Sequence, residues 1–166
     1  LLLLINHDLS DNKSKIGLIL IFFLGLIVEI LGVNYGFFFG EYSYGANFGP
    51  KIYEVPYVIG FNWVLLIIAT GSLSHKLIKG KEINKILFAS SLMVLIDLLM
   101  ELSAPKLDYW EFVLSPVPFS NYLWWFIFSI CFQYIFFKTV KSKEYNLSSN
   151  ILVIQFLFFA MLAVFL

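Results

Sequence analysis

Apolar residues gather into five long runs separated by short polar stretches. They cover 16–33, 55–73, 83–103, 119–137 and 150–166. Each is long enough, or nearly so, to cross a hydrocarbon layer as an α-helix. None alternates strictly between apolar and polar residues, as a membrane β-barrel strand does. The opening residues, LLLLINHD, read as the tail of a further span that begins before the given sequence. A signal peptide is the rival reading, but a basic start and a small-residue cleavage site are missing. The pattern predicts an all-α, polytopic transmembrane bundle of five spans plus a truncated N-terminal one, with irregular outward loops. Residues 1–166 read as one integral membrane domain.

Composition agrees with that class. Of the 166 residues, 60% are hydrophobic, 19% aromatic and only 13% charged, which leaves too little polar surface for a soluble domain of this length. Net charge is zero, and all 11 basic side chains are lysines. No basic stripe is available to follow phosphates, so a nucleic-acid partner is not expected. Cys131 is the single cysteine; it cannot form an internal disulfide and reads as a small buried hydrophobe. His7 and His75 flank apolar runs and read as interfacial residues. No metal-ligand spacing is present, so no metal is expected.

Lysine positions predict the orientation. Lys13 and Lys15 precede the first run, and Lys76, Lys79, Lys81 and Lys85 lie between the second and third. Lys138, Lys141 and Lys143 lie between the fourth and fifth. These segments alternate along the chain, so all of them can face the cytoplasm of a cell (inner) membrane, leaving Lys51 and Lys106 on the opposite side. The outward connections are then 34–54 and 104–118, rich in glycine, proline, aromatic residues and acids.

Three acids stand inside the spans. Glu29 lies in the outer half of the first; Asp97 and Glu101 lie near the outer end of the third. Four residues apart on a helix, Asp97 and Glu101 share a face. A carboxylate in lipid is expensive, so such residues face a bundle interior or reach for the interface. Carboxyls that share a dry cavity repel each other, and one then holds its proton beside an ionised neighbour. Such a pair suits protonating a substrate and activating water, or relaying protons in a transporter.

The connection after the first span carries Gly32, Gly36 and Gly40 at helical spacing, which suits close helix packing. Beyond Gly40 its glycine and polar content predicts an irregular segment that folds back as a lid, bringing Glu41, Tyr42 and Tyr44 over the bundle. Tyr42, Tyr44, Trp63, Tyr109, Trp110, Phe112, Tyr122, Trp124 and Trp125 lie in or near this half. An interfacial aromatic belt explains most such residues, and a cavity with π-faced walls is the sharper alternative.

Across roughly residues 25–137, the segments GEYSYGANFGPKIYEVP, NW, DLLMELSAPKLDYW and VPFSNYLWW resemble the carotenoid biosynthesis membrane protein family, which contains the carotenoid 1',2'-hydratases. The matching positions are Glu29 with Gly32, Phe39 to Tyr44, Val55-Pro56, Trp63, Asp97, Glu101, Pro105, Trp110, Pro118 and Asn121. Phe112 departs from a second tryptophan frequent in the family, and Glu101 stands further from Pro105 than is usual. The resemblance implies addition of water to the terminal double bond of an acyclic carotenoid end, giving a tertiary alcohol. Hydration is redox-neutral and implies no cofactor. The implied partners are a lipophilic carotenoid, water and membrane lipid, with association with other carotenoid enzymes also in view.

For that chemistry, physical reasoning assigns Asp97 as proton donor and Glu101 as the group orienting water, with Glu29 or Glu41 in support. Tyr42, Tyr44, Trp63 and Trp110 would line the pocket, and Asn121 joins them through its place in the motif. Two other readings stay open. A carotenoid end-group cyclase also begins by protonating an alkene. A transporter or assembly subunit would do no chemistry, although a proton-coupled transporter should show matched half-repeats, which this sequence lacks.

Overall fold

The computed structural model describes residues 11–140 and 146–165. The expected leader, with His7, and the lysines Lys141 and Lys143 lie outside the described residues. Five helices account for most of the rest: α1 (Asn12–Tyr35), α2 (Tyr57–Leu77), α3 (Glu82–Glu101), α4 (Phe119–Thr139) and α5 (Asn146–Phe165). Each covers one of the five apolar runs, with ends moved by up to four residues, because polar interfacial residues continue a helix past its apolar core. α1, α2, α3 and α5 are each long and apolar enough to cross a membrane, and the chain is a helical membrane protein. α4 is a helix of 21 residues, but Asn121, Gln133, two tryptophans and two tyrosines lower its hydropathy. Four spans therefore follow from helix length and composition among the described residues.

α2 is the hub. It packs against all four other helices and is largely buried, whereas little of α5 is. Small and polar residues let the neighbours close in. Gln133 of α4 donates from Nε2 to Thr70 Oγ1 at 2.8 Å and to the Ile67 carbonyl at 3.2 Å on α2. Cys131 on α4 is exposed, which corrects the expectation of a buried hydrophobe: it faces away from the bundle, where an apolar thiol is equally at ease in lipid.

The helices alternate in direction. Ser14, near the start of α1, donates to the Thr139 carbonyl at the end of α4 at 3.1 Å; Ser74, late in α2, donates to the Lys85 carbonyl early in α3 at 2.6 Å. Lys138 and Glu82 form an exposed ion pair at 2.7 Å. The described lysines expected to face the cytoplasm therefore gather at one end of the bundle, and both aromatic connections lie at the other.

Those connections are largely irregular, as expected, but short strands pin them in place. Gly36 ends α1 in the left-handed conformation, φ 66°, with its N–H on the Gly32 carbonyl at 2.9 Å. Gly36 is therefore a helix terminator rather than a packing residue. The chain then returns through Phe38 and Gly40, both with positive φ, into β1 (Tyr42–Tyr44). This strand pairs antiparallel with β4 (Trp110–Phe112), which comes from the other connection. A second ladder pairs β2 (Lys51–Ile52) with β3 (Val55–Pro56). Period-two alternation sends Tyr42, Tyr44 and Trp110 inward and leaves Ser43 and Glu111 exposed. Asp108 locks the two connections together, accepting from the Ala46 N–H at 2.8 Å, while Asn47 Nδ2 donates to the Leu107 carbonyl at 2.9 Å.

Gly32 does serve close packing, though against the returning loop rather than another helix. A Cβ there would sit 2.8 Å from Phe39 and 2.9 Å from the Tyr42 hydroxyl. Gly32→Val should therefore displace the loop and lower stability by about 1–3 kcal/mol, the usual range for overpacking. Thermal unfolding in detergent, compared with wild type, measures it; an unchanged midpoint counts against this packing role.

Candidate functional site

One face of α1 builds the first wall. Gly25, Glu29 and Gly32 follow each other at spacings of four and three, so all three look the same way. Gly25 leaves room for the Trp63 indole, whose atoms would lie within 2.9 Å of a Cβ at that position, and Gly32 leaves room for Tyr42. Both aromatic side chains thereby reach the acid between the glycines. Trp63 Nε1 donates to Glu29 Oε1 at 3.0 Å, and the Tyr42 and Tyr44 hydroxyls donate to Oε2 at 2.6 and 2.7 Å. Glu29 is only 3% exposed. Burial pushes both phenols well above their ordinary range, and the Glu29 charge beside them adds to it. Both hydroxyls thus keep their protons and act as donors.

The opposite wall is the end of α3 with the start of α4. Asp97 is buried on α3, and Glu101, one turn on, is half-buried. Asn121, in the first turn of α4, bridges them: its Nδ2 donates to Asp97 Oδ2 at 3.1 Å and lies 3.3 Å from Glu101 Oε1. Trp110 from β4 donates to Glu101 Oε2 at 3.1 Å. Six carboxyl oxygens thus meet at the site. Five accept a hydrogen bond from a protein donor, and Asp97 Oδ1 accepts none among the described residues.

Between the walls lies a cavity of about 30 Å³, lined by the three acids and by Phe39, Tyr42, Tyr44, Ile59, Asn62, Met100, Trp110, Phe112, Asn121 and Trp125. That volume suits one or two water molecules. Trp63 is fully buried behind it, stacked on Trp125 with ring centres 4.2 Å apart.

Eight of the nine residues singled out in the sequence therefore meet here: Glu29, Asp97, Glu101, Tyr42, Tyr44, Trp63, Trp110 and Asn121. The ninth, Glu41, is exposed. It precedes Tyr42 on the strand, so alternation turns it away from the cavity. Asn62 is the residue that sequence reasoning missed. Its signal was present: an amide inside an apolar span is costly in lipid and marks an interior-facing position. Among the described residues, no group of three or more metal-ligating side chains is gathered in one place.

Comparison with known proteins adds an independent line. The family model described as carotenoid biosynthesis protein matches residues 3–166. The bisanhydrobacterioruberin hydratase of Haloarcula japonica is 23% identical over 126 residues, covering 72% of this chain and 43% of that protein. The chain thus spans under half the length of that relative. No solved structure matches the chain.

Proposed function

Because the chain belongs to the carotenoid biosynthesis protein family, we propose that it hydrates the terminal double bond of an acyclic carotenoid end by acid catalysis. The observation that carries this reading is Asp97, a buried acid lining the cavity whose Oδ1 is the one carboxyl oxygen of the cluster without a hydrogen-bond donor among the described residues. A proton carried there is committed to no described protein acceptor and is free for a group entering the cavity. The similarity to a hydratase supports the same reaction class.

The sequence of steps is as follows. Asp97 gives its proton to the less substituted alkene carbon, and the adjacent carbon becomes a tertiary cation. Trp110 and Trp125 line the cavity, with Trp63 stacked behind Trp125, and a cation–π contact contributes about 0.5–2 kcal/mol. Water held by Glu101 forms the C–O bond and yields its surplus proton to that carboxylate. Transfer of this proton from Glu101 to Asp97 across the cavity restores the starting state. Glu29, an acceptor at both oxygens, is the fixed negative charge opposite the cation and does not exchange protons. Asn121 holds the two working carboxyls one turn apart.

The cavity is too small for an isoprenoid end, so substrate entry requires side chains to move. An apolar groove of about 300 Å³ between α3 and α4, lined by Val94, Phe119, Tyr122, Leu123 and Phe126, is the proposed bed for the polyene. Tyr122 follows Asn121, which bonds both Asp97 and Glu101, so one end of the groove lies near the acids. All five helices cross the membrane in this reading, with the lysine end in the cytoplasm.

Expression in bacteria that accumulate lycopene or γ-carotene tests the proposal. The expected product is heavier than its substrate by one water and carries a tertiary hydroxyl, by chromatography and mass spectrometry. A product of unchanged mass would instead identify a cyclase, and unaltered carotenoid with several acyclic substrates would remove the enzymatic reading.

A further inference from the structure

A second chamber adjoins the acid cavity. It measures about 150 Å³ and lies between α2, the end of α3, α5 and the two connections. Ile59, Asn62, Met100 and Trp110 line both spaces, so the two adjoin at these side chains. Its outer side carries Phe48 and Tyr109, stacked with ring centres 4.2 Å apart.

Two amides distinguish this chamber from an ordinary packing void. Gln155 of α5 lines it, and Gln155 Oε1 is buried without a hydrogen-bond partner among the described residues. Asn62 lines both spaces, and its side chain makes no hydrogen bond within the described residues either. A purely aliphatic and aromatic chamber of this size stays dry. The buried Gln155 oxygen and the half-buried Asn62 amide instead demand partners, and an isoprenoid hydrocarbon offers none. Water satisfies them, and the volume holds several molecules.

We infer that this chamber is the enzyme's water store, with Gln155 and Asn62 as its hydrogen-bonding groups and Asn62 as the gate to the acid cavity. The inference rests on the hydratase reading for its purpose, though not for its physical content. A reaction that consumes water while embedded in lipid needs a supply that does not open the cation to bulk solvent. A wall formed by one amide and three apolar side chains meets that need.

The physical claim is tested on wild-type protein in lipid nanodiscs by X-ray hydroxyl-radical footprinting, which labels side chains beside bound water. Phe158 and Phe159 are adjacent and chemically identical; Phe159 lines the chamber, while Phe158 is exposed on the outside of the bundle. Phe159 should label several-fold faster than Phe158. Equal or slower labelling overturns the inference, even for a chain that hydrates lycopene.

The functional claim is tested with the double variant Asn62→Leu, Gln155→Leu in D₂O. Hydration should fall on the order of tenfold, while recovered lycopene gains deuterium at its terminal isoprene units. The cation still forms but loses a proton or deuteron before water captures it. If hydration and deuterium uptake fall together, the amides serve structure and the gate assignment is wrong. If wild type forms no hydrated product yet Phe159 labels fast, the chamber is wet and the hydratase reading is what fails.

Discussion

Asp97→Asn should abolish hydration while leaving the protein in the membrane at its normal level. Asp97 accepts one hydrogen bond, from Asn121 Nδ2 to Oδ2 at 3.1 Å. An asparagine carbonyl accepts that bond equally well, and its NH₂ group then takes the position of Oδ1 at the cavity. The fold therefore loses little, within about 1 kcal/mol. Chemistry loses its acid, because an amide cannot protonate an alkene. Removing a general acid costs about 10²–10⁴-fold, and an unactivated alkene puts the effect at the upper end. Product should fall below detection in lycopene-producing cells while immunoblots of the membrane fraction stay constant. Deuterium uptake into recovered lycopene should also vanish, which separates this variant from the amide pair that blocks water. Asp97→Asn with wild-type product yield would move the donor role to another acid, and Glu101, bonded at both oxygens, is the next to test.

The helices were legible in the sequence because five apolar runs each exceed what a globular core needs, and lysines alternate between them. The cap on the all-α reading came from residues that no local pattern could pair. Tyr42-Ser43-Tyr44 and Trp110-Glu111-Phe112 each alternate correctly, but three residues are too few to distinguish a strand from a loop. Their pairing joins segments more than sixty residues apart, and it decides which way every side chain of the connection points. That single register is why Tyr42 and Tyr44 enter the site and Glu41 does not. Asp97 and Glu101 were readable as partners because helical spacing is local. Glu29 was readable as costly, yet its three donors come from α2 and β1, and only the fold assembles them. Cys131 shows the limit of hydrophobicity alone: inside a membrane helix, an apolar residue is as content outward as inward.

Glu29→Leu should damage the structure more than any other change at the site. The wild-type carboxylate receives the Tyr42 and Tyr44 hydroxyls and the Trp63 indole N–H at 2.6, 2.7 and 3.0 Å. Leucine leaves three buried donors without an acceptor, each at a penalty of about 1–3 kcal/mol. Together they approach the stability of an ordinary domain, about 5–15 kcal/mol. The loss is also concentrated where β1 meets the bundle, so the connection carrying it should detach first. Expected results are a much lower unfolding midpoint in detergent and new proteolytic cleavage between residues 36 and 56. Glu29→Gln keeps a carbonyl acceptor, and its NH₂ can donate to a phenol whose hydroxyl turns, so it should be far milder. Removing the orphaned donors as well gives the decisive comparison. Adding Tyr42→Phe and Tyr44→Phe to Glu29→Leu should recover part of the lost stability, because the penalty lies in unpaired hydroxyls rather than in the absent charge. If the triple variant is no more stable than Glu29→Leu alone, the carboxylate acts through something other than these hydrogen bonds. Under the proposed mechanism, activity should stay lost in both, because the negative charge assigned to Glu29 opposite the cation is gone.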